Sequence, residues 1–196
     1  MTFPFDNPRR PDHPVAPQFI ERWSPRAFSD AELGVEAVQT VLEAARWAPS
    51  ASNRQPWRFV WDLRGSPGFA AILGALEPGN QTWAQRAGAL IVVASKQVTR
   101  RGEEDVPNAW ASFDAGTAWG HLALQAHLSG LAAHAMGGFD AAALAKAIDL
   151  PEHHALHAVV ALGQRGDPAV LSESQRQREV PSQRLPLAEI VLRGSF

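Results

Sequence analysis

Residues 48–57 place hydroxyl and amide side chains between two prolines, directly after a segment with helical periodicity. Pro49 and Pro56 fix φ and lack an amide donor, so a preceding helix has to end there and the run stays extended. Such a rigid polar array suits a flat polar heterocycle better than a packed core, although an elaborate helix stop would use similar residues. The polar side chains are those of Ser50, Ser52, Asn53 and Gln55.

Two further segments carry arginine and serine in arrangements that suit an anion. In Arg22-Trp23-Ser24-Pro25-Arg26, two guanidinium groups and a hydroxyl lie within one short turn and could hold a dianionic phosphate by charge-assisted hydrogen bonds. Arg184 lies in a segment bounded by two prolines and is a further phosphate candidate. The alternative for each segment is a solvated surface turn, since exposed arginines commonly contribute little.

The run Met136-Gly137-Gly138-Phe139-Asp140 joins a predicted strand to a predicted helix. Glycine allows close approach of the backbone to a ligand and Asp140 can cap the helix, but a plain strand-to-helix turn fits as well. The chain has no Gly-x-Gly-x-x-Gly after a strand, no Walker loop and no Gly-x-Ser-x-Gly element.

Three histidines, His153, His154 and His157, have spacing compatible with a metal site. They follow Pro151 and continue into a β-branched strand, so they are not expected to share a helical face, and no acidic or thiol partner lies nearby. We therefore predict no metal site.

The composition indicates a globular chain of one domain. Its 196 residues are 45% hydrophobic and 19% charged, with a net charge of −2 and no cysteine. This argues against nucleic-acid and membrane partners and excludes disulfide and cysteine chemistry. The proline-rich start has no apolar core of a signal peptide, so a cytoplasmic location is expected.

Periodicity and breakers predict strands that alternate with helices, the pattern of a three-layer α+β or α/β sandwich. Residues 1–14 are predicted to form a Pro-rich arm and residues 15–196 a single domain, with a charged loop at 100–105 and an N-cap at Ser29 or Asp30. Strands are predicted at 58–63, 89–95, 133–136 and 156–163 and in the tail from 185, and helices at 34–47, 67–76, 80–86, 108–129 and 140–148.

These segments together resemble the FMN-dependent nitroreductase family over residues 19–191. The motifs are Arg22-x-Ser24-x-Arg26, Pro49-Ser-x-x-Asn-x-Gln-Pro-Trp57, Asn80, Asp114-x-Gly116, Gly137-Gly138-Phe139-Asp140 and Arg184-x-Pro186-Leu187. The resemblance implies an α+β fold, a three-layer sandwich with a central mixed sheet flanked by helices. It also implies an intertwined homodimer with FMN at the subunit interface, to which the long helix and the C-terminal segment contribute.

The resemblance also implies roles for individual residues. Arg22, Ser24 and Arg184 would hold the FMN phosphate, Arg26 would lie near the ribityl chain or the pyrimidine edge, and the Gly137 and Gly138 backbone would face flavin N5. The remaining expected cofactor contacts are Trp23, Pro49, Ser50, Ala51, Asn53, Gln55, Asn80, Trp83 and Met136, of which those in the 49–55 loop would come from the other subunit.

Two positions depart from the family pattern. Similar enzymes often have an acidic residue where this chain has Gly137, and a lysine near the flavin where it has Trp83. Because a cation beside N1 and O2 stabilises reduced flavin, Arg26 or Arg86 would have to replace the lysine, or the flavin potential is lower. Trp83 would instead shape the substrate side.

The resemblance implies hydride transfer from NADH or NADPH through flavin N5 to a small-molecule electron acceptor such as a nitroaromatic or quinone. No side chain need act as acid or base, since the protein supplies orientation and electrostatics. The alternatives are a specialised flavin dehydrogenase, dehalogenase or flavin-cleaving enzyme with a lid at 96–109, a non-catalytic FMN-sequestering protein, and a structural dimer without cofactor.

Overall fold

A four-stranded sheet forms the centre of the molecule, which a computed structural model describes over residues 7–196; part of the predicted arm, residues 1–6, lies outside the described residues. The sheet order is β1-β2-β6-β5, and a separate hairpin pairs β3 with β4. The strands are β1 (Trp57–Leu63), β2 (Ala89–Lys96), β3 (Val98–Arg101), β4 (Glu104–Pro107), β5 (Ala132–Met136) and β6 (His154–Gly163).

Every pair of neighbouring strands in the described chain is antiparallel. The α+β class predicted from the sequence is confirmed, but the predicted mixed sheet is not found within residues 7–196. Parallel neighbours would require crossover connections in the same sheet, whereas the long excursions here return the chain antiparallel to its neighbours. The tail, predicted as a strand, forms a short helix instead. Within the described chain it does not pair with any strand of the sheet.

Helices cover both faces of the sheet because alternate residues of each strand face opposite sides. On β2, Leu90 and Val92 belong to one hydrophobic cluster, while Ile91 and Val93 belong to another. The helices are α1 (Pro17–Glu21), α2 (Val35–Arg46), α3 (Pro67–Gly74), α4 (Pro78–Ala84), α5 (Ala111–Leu128), α6 (Ala141–Ala147), α7 (Glu173–Arg176) and α8 (Leu187–Ile190).

The longest helix, α5, buries one side against α2 and the sheet and leaves aromatic residues exposed at its start. Small residues such as Ala115, Ala118 and Ala126 face the core, while Phe113 is 69% exposed and stacks edge-on with exposed Trp110. Across the described residues no helix is long and apolar enough to cross a bilayer. Phe113 and Trp110 thus form an exposed apolar patch at the start of α5.

Two local predictions differ from the structure. The charged segment at 100–105 is the turn of the β3–β4 hairpin, in which Arg100 pairs with Asp105 and Gly102 adopts a φ of 62°. Opposite charges across the ladder and a left-handed glycine stabilise such a hairpin. Helix α2 is capped by the backbone at Gly34, with no side-chain cap from Ser29 or Asp30.

The turn that contains Arg22 and Arg26 is fixed to the end of β6. Phe28 pairs with Arg165 as an isolated bridge, and the Gly166 amide donates to the Ala27 carbonyl at 2.8 Å. A Cβ on Gly166 would lie 2.6 Å from the carbonyl carbon of Phe28, so the two backbones meet at a distance that only glycine permits.

We predict that Gly166→Ala lowers the free energy of unfolding by about 1–3 kcal/mol, because the added methyl group overpacks against backbone that cannot move aside. Gly74→Ala is the matched control, since nothing lies within 4 Å of the added Cβ there. Urea unfolding monitored by tryptophan fluorescence measures both variants. An unchanged midpoint for Gly166→Ala would contradict this account.

Candidate functional site

A cavity of about 270 Å³ is lined by residues from four separate parts of the chain, three of which contribute arginines. The N-terminal arm, the turn after α1, strand β5 and the tail after α7 all contribute to it. Its lining residues are Arg9, Arg22, Trp23, Ser24, Arg26, His134, Arg178, Val180, Ser182 and Arg184. Arg22, Ser24 and Arg184, predicted from the sequence as one phosphate site, therefore lie together.

The positive charge of this cavity is largely uncompensated. Burial lowers the pKa of Arg22, and the charge of Arg184 lowers it further. Arg26 approaches a carboxylate, its Nη1 lying 3.9 Å from Glu179 Oε2, and it is the only one of the five arginines with an ion pair to another described residue. Guanidinium groups that repel one another and lack carboxylates are stabilised by a bound anion.

A buried carboxylate organises the turn that carries these arginines. The side chain of Glu179 is 2% exposed, and its Oε1 accepts hydrogen bonds from the amides of Arg26 at 2.7 Å and Ala27 at 2.8 Å. Its Oε2 has no hydrogen-bond partner in the described chain. Glu179 thus joins the tail to the turn through backbone contacts that do not depend on the side chain of Arg26.

His134 forms the floor of the cavity and is neutral at pH 7. Burial lowers its pKa to about 4, and the charges of Arg26 and Arg22 act in the same direction. Its Nδ1 lies 3.0 Å from the Pro25 carbonyl oxygen, so the neutral ring donates from Nδ1 to that oxygen. A protonated imidazole here would add a charge to an already cationic cavity.

The Pro49–Gln55 loop forms a second polar region with an unusual backbone. Ser52, Asn53 and Gln55 have φ values of 52°, 53° and 49°, a left-handed conformation that costs about 1 kcal/mol for each non-glycine residue. Strain of this kind persists where surrounding contacts enforce it and is common at binding sites. Here the Ala51 amide donates to the buried Asp114 carboxylate, and the Gln55 amide donates to Ser50 Oγ at 3.0 Å.

Within one chain the loop and the arginine cavity lie at different positions along α5. The loop is held by Asp114, near the start of the helix. Arg22 and Ser24 border a second, mainly apolar cavity of about 320 Å³ that also involves Trp119 and Ala123. Asp114 and Ala123 are nine residues apart on α5, about 13 Å, so the loop and the Arg22 turn meet the helix at different positions.

The Gly137–Gly138 backbone is held by α4. The side-chain amide of Asn80 and the backbone amide of Glu77 both donate to the Gly138 carbonyl at 3.0 Å. A Cβ on Gly138 would meet Glu77 Oε2 at 2.6 Å, whereas Gly137 faces open space. Gly137 follows His134 by three residues, about 10 Å of strand, so one ligand could reach from the arginine cavity to this backbone.

Trp83 differs from its predicted role beside a flavin or substrate. Its side chain is 2% exposed, stacks on Phe28 with ring centroids 6.2 Å apart, and lies 4.7 Å from the His134 ring. Helix periodicity turns this large apolar side chain toward the core, where it supports His134 from behind. The Met136 side chain is buried as well, which leaves its backbone as the part able to meet a ligand.

Sequence reasoning missed several residues of this region. Arg9, Arg178, His134 and Glu179 converge on the cavity from segments far apart in the chain, and Glu77 lies beside Gly138. Arg9 lies within the proline-rich arm and Arg178 lies next to Glu179, so both arginines could have been noticed in the sequence. Nothing in the local sequence indicated that Glu179 would be buried.

Comparison with known proteins gives consistent matches. The Nitroreductase family model matches residues 20–66 and 62–164. A protein from Thermus thermophilus named NADH dehydrogenase is 29% identical in an alignment that covers 88% of this chain and 92% of that protein.

Two solved structures extend these matches to the fold. A crystal structure described as an oxidoreductase containing FMN has a TM-score of 0.95 and 44% identity, covering 100% of this chain and 98% of the other. A Desulfovibrio desulfuricans protein described as a nitroreductase, in complex with FMN, has a TM-score of 0.74 and 28% identity, covering 94% and 99% of the two chains.

We predict that His134 makes the protein lose stability as the pH falls from 6.5 toward 4. The pKa of His134 falls from 6.5 to about 4 on folding, so in this range the unfolded chain binds the proton more tightly and protonation favours unfolding. The full loss is about 3 kcal/mol and is absent above pH 6.5.

Urea unfolding at pH 7 and pH 4.5 measures this effect. In His134→Gln the difference between the two pH values shrinks, although His157, whose pKa burial also lowers, retains part of it. His13→Gln is the control, because His13 is exposed and its replacement leaves the difference unchanged. A pH dependence that is equal in His134→Gln and the parent protein would show that His134 is not the group responsible.

Proposed function

The chain belongs to the Nitroreductase family, and we propose that it is an FMN oxidoreductase that uses NADH or NADPH to reduce an electron-poor small molecule such as a nitroaromatic or a quinone. The observation that carries this proposal is the arginine cavity, in which Arg22, Ser24 and Arg184 surround a space whose lining, among the described residues, includes no carboxylate. The names of the Thermus protein and of the two FMN-containing structures support the same activity.

The residues present fit the phosphate of FMN. Burial and then the charge of Arg184 lower the pKa of Arg22, and a group with a charge near −2 offsets both effects. Bidentate guanidinium contacts suit its oxygens. Ser24 Oγ lies 3.4 Å from Arg22 Nη1 and adds a hydroxyl at the same place. Arg26, with its backbone held by Glu179, is left to contact the ribityl chain or the ring edge.

The ring end of the cofactor is assigned to the Gly137–Gly138 backbone. When bound, the flavin supplies the hydride chemistry, accepting hydride at N5 from the nicotinamide and passing it to the acceptor. The chain has to orient the ring and polarise it, and an exposed glycine amide beside N5 does so without a side chain. Asn80 fixes this backbone by its hydrogen bond to the Gly138 carbonyl.

The 49–55 loop completes the site from a second copy of the chain. Within one chain the loop meets α5 about 13 Å from the Arg22 turn, and we assign it to the FMN held by the partner copy, as the family resemblance implies. The apolar surface needed for a dimer is present, since aromatic residues at the start of α5 and aliphatic residues of the tail are exposed. These are Trp110, Phe113, Leu185, Ile190, Val191 and Leu192.

The deciding experiment is an absorbance spectrum of the purified protein, followed by anaerobic addition of NADH and then NADPH. We expect a bound flavin spectrum that bleaches with one nicotinamide and recovers with a quinone or nitroaromatic. A flavin that neither nicotinamide bleaches would favour the FMN-sequestering alternative. Protein that cannot be reconstituted with FMN would refute the proposal.

We predict that Arg22→Ala and Arg184→Ala each weaken FMN binding about 10- to 100-fold, because each removes a charge-assisted hydrogen bond to phosphate. Riboflavin, which lacks the phosphate, should bind these variants as it binds the parent protein. Fluorescence titration measures both ligands. Arg176→Ala is the control, since Arg176 pairs with Glu173 outside the cavity, and equal losses for FMN and riboflavin would contradict the assignment.

We predict that Phe113→Glu converts the protein to a monomer and removes its bound FMN, because a charge is placed in an apolar interface that also forms the cofactor site. Ala70→Glu is the control, as Ala70 is exposed on α3, which packs on the opposite face of the sheet. Sedimentation velocity gives the mass and the visible spectrum gives the FMN content. A Phe113→Glu dimer with full FMN would contradict the shared site.

A further inference from the structure

We propose that the N-terminal arm is part of the cofactor site, with Arg9 as a positioning residue that locks the segment carrying Arg184 to the turn carrying Arg22. The inference rests on the proposed FMN function. Arg9 has no counterpart among the residues that the family resemblance identified. It lies outside the part of the chain that the family model matches, residues 20–164.

The guanidinium of Arg9 bridges two segments that are distant in sequence. Its Nη1 donates to the carbonyl oxygens of Ile20 at 2.9 Å and Arg22 at 2.7 Å, and its Nε donates to the carbonyl oxygen of Ser182 at 2.8 Å. Three contacts to two segments need the planar fork of arginine, which a lysine ammonium cannot reproduce. Arg9 therefore fixes the backbone on both sides of the cavity.

The arm is also the main hydrogen-bonded attachment of the tail. Within the described chain, three hydrogen bonds link residues 182–196 to the rest of the molecule, and all three end on the arm. They run from Arg9 Nε to the Ser182 carbonyl, from Gln183 Nε2 to the Pro8 carbonyl at 2.8 Å, and from the Leu187 amide to Asp12 Oδ2 at 2.7 Å. Without the arm, residues 182–196 would have no hydrogen bond to the rest of the described chain.

Charge repulsion makes such a lock necessary. Burial lowers the pKa of Arg9, and the charges of Arg184 and Arg22 lower it further, so the three guanidinium groups lie close enough to repel one another. Among the described residues, the Nη1 of Arg184 bonds only to its own segment, namely Ser182 and the Gln183 carbonyl. An exposed segment with like charges on one side moves away from them unless other contacts hold it.

The test compares FMN and riboflavin binding in Arg9→Ala, Arg184→Ala and the double variant. Arg9→Ala should weaken FMN binding about 10-fold and leave riboflavin binding within about twofold of the parent. In the Arg184→Ala background the same substitution should have a clearly smaller effect than in the parent, because one of the two residues it positions is gone. Arg10→Ala is the matched control, since Arg10 has the same charge but bonds only to the Asn7 and Arg9 carbonyls.

Hydrogen exchange of peptides covering residues 182–192 gives a second readout that needs no FMN. Arg9→Ala should accelerate exchange there, and Arg10→Ala should not. Unchanged exchange in Arg9→Ala overturns the proposal, as do additive losses in the double variant or equal losses for FMN and riboflavin. Failure of the parent protein to bind FMN would refute the proposed function instead, and the exchange result would still decide whether Arg9 holds the tail.

Discussion

The contact on which the candidate site depends is the buried carboxylate of Glu179, which accepts hydrogen bonds from the Arg26 and Ala27 amides. Each charge-assisted bond of this kind contributes about 1.5–3 kcal/mol, enough to offset part of the repulsion among the guanidinium groups around it. The accepting carboxylate belongs to the tail and the donating amides belong to the turn. The side chain of Glu179 therefore holds together two cationic segments that are distant in sequence. Because Glu179 bonds to backbone amides of the turn, the side chain of Arg22 remains available to a ligand.

A second constraint is the packing behind the cavity. Phe28 stacks on Trp83, Trp83 lies against His134, and His134 donates to the Pro25 carbonyl. This series connects the hydrophobic core to the turn that carries the arginines. Since burial keeps His134 neutral at pH 7, the floor of the cavity adds a hydrogen-bond donor without adding charge. Rigid support of this kind is what a site without acid–base side chains needs, because orientation is its main contribution.

Helix α5 contacts both polar regions of the candidate site at different points along its length. One end holds the strained 49–55 loop through Asp114, and the middle of the helix borders the turn with Arg22 and Ser24. The same helix exposes Phe113 and Trp110 between packed residues. A single chain therefore presents the loop and the Arg22 turn at two positions along one helix, an arrangement that supports the proposed dimer.

The sequence by itself determined the five longest helices and the strands of the central sheet to within a few residues, because periodicity and prolines act locally. The polar loop after Pro49 was also evident, as were Arg22, Ser24 and Arg184 as candidates for one anion. Only the tertiary structure decided that Trp83 is buried, that the described sheet is antiparallel and that the tail forms a helix. It also decided that Arg9 and Glu179 join the Arg22 turn, 13 and 153 residues away in sequence. The reason is physical: pairing and burial depend on contacts between distant segments, whose energies no local pattern of residues records.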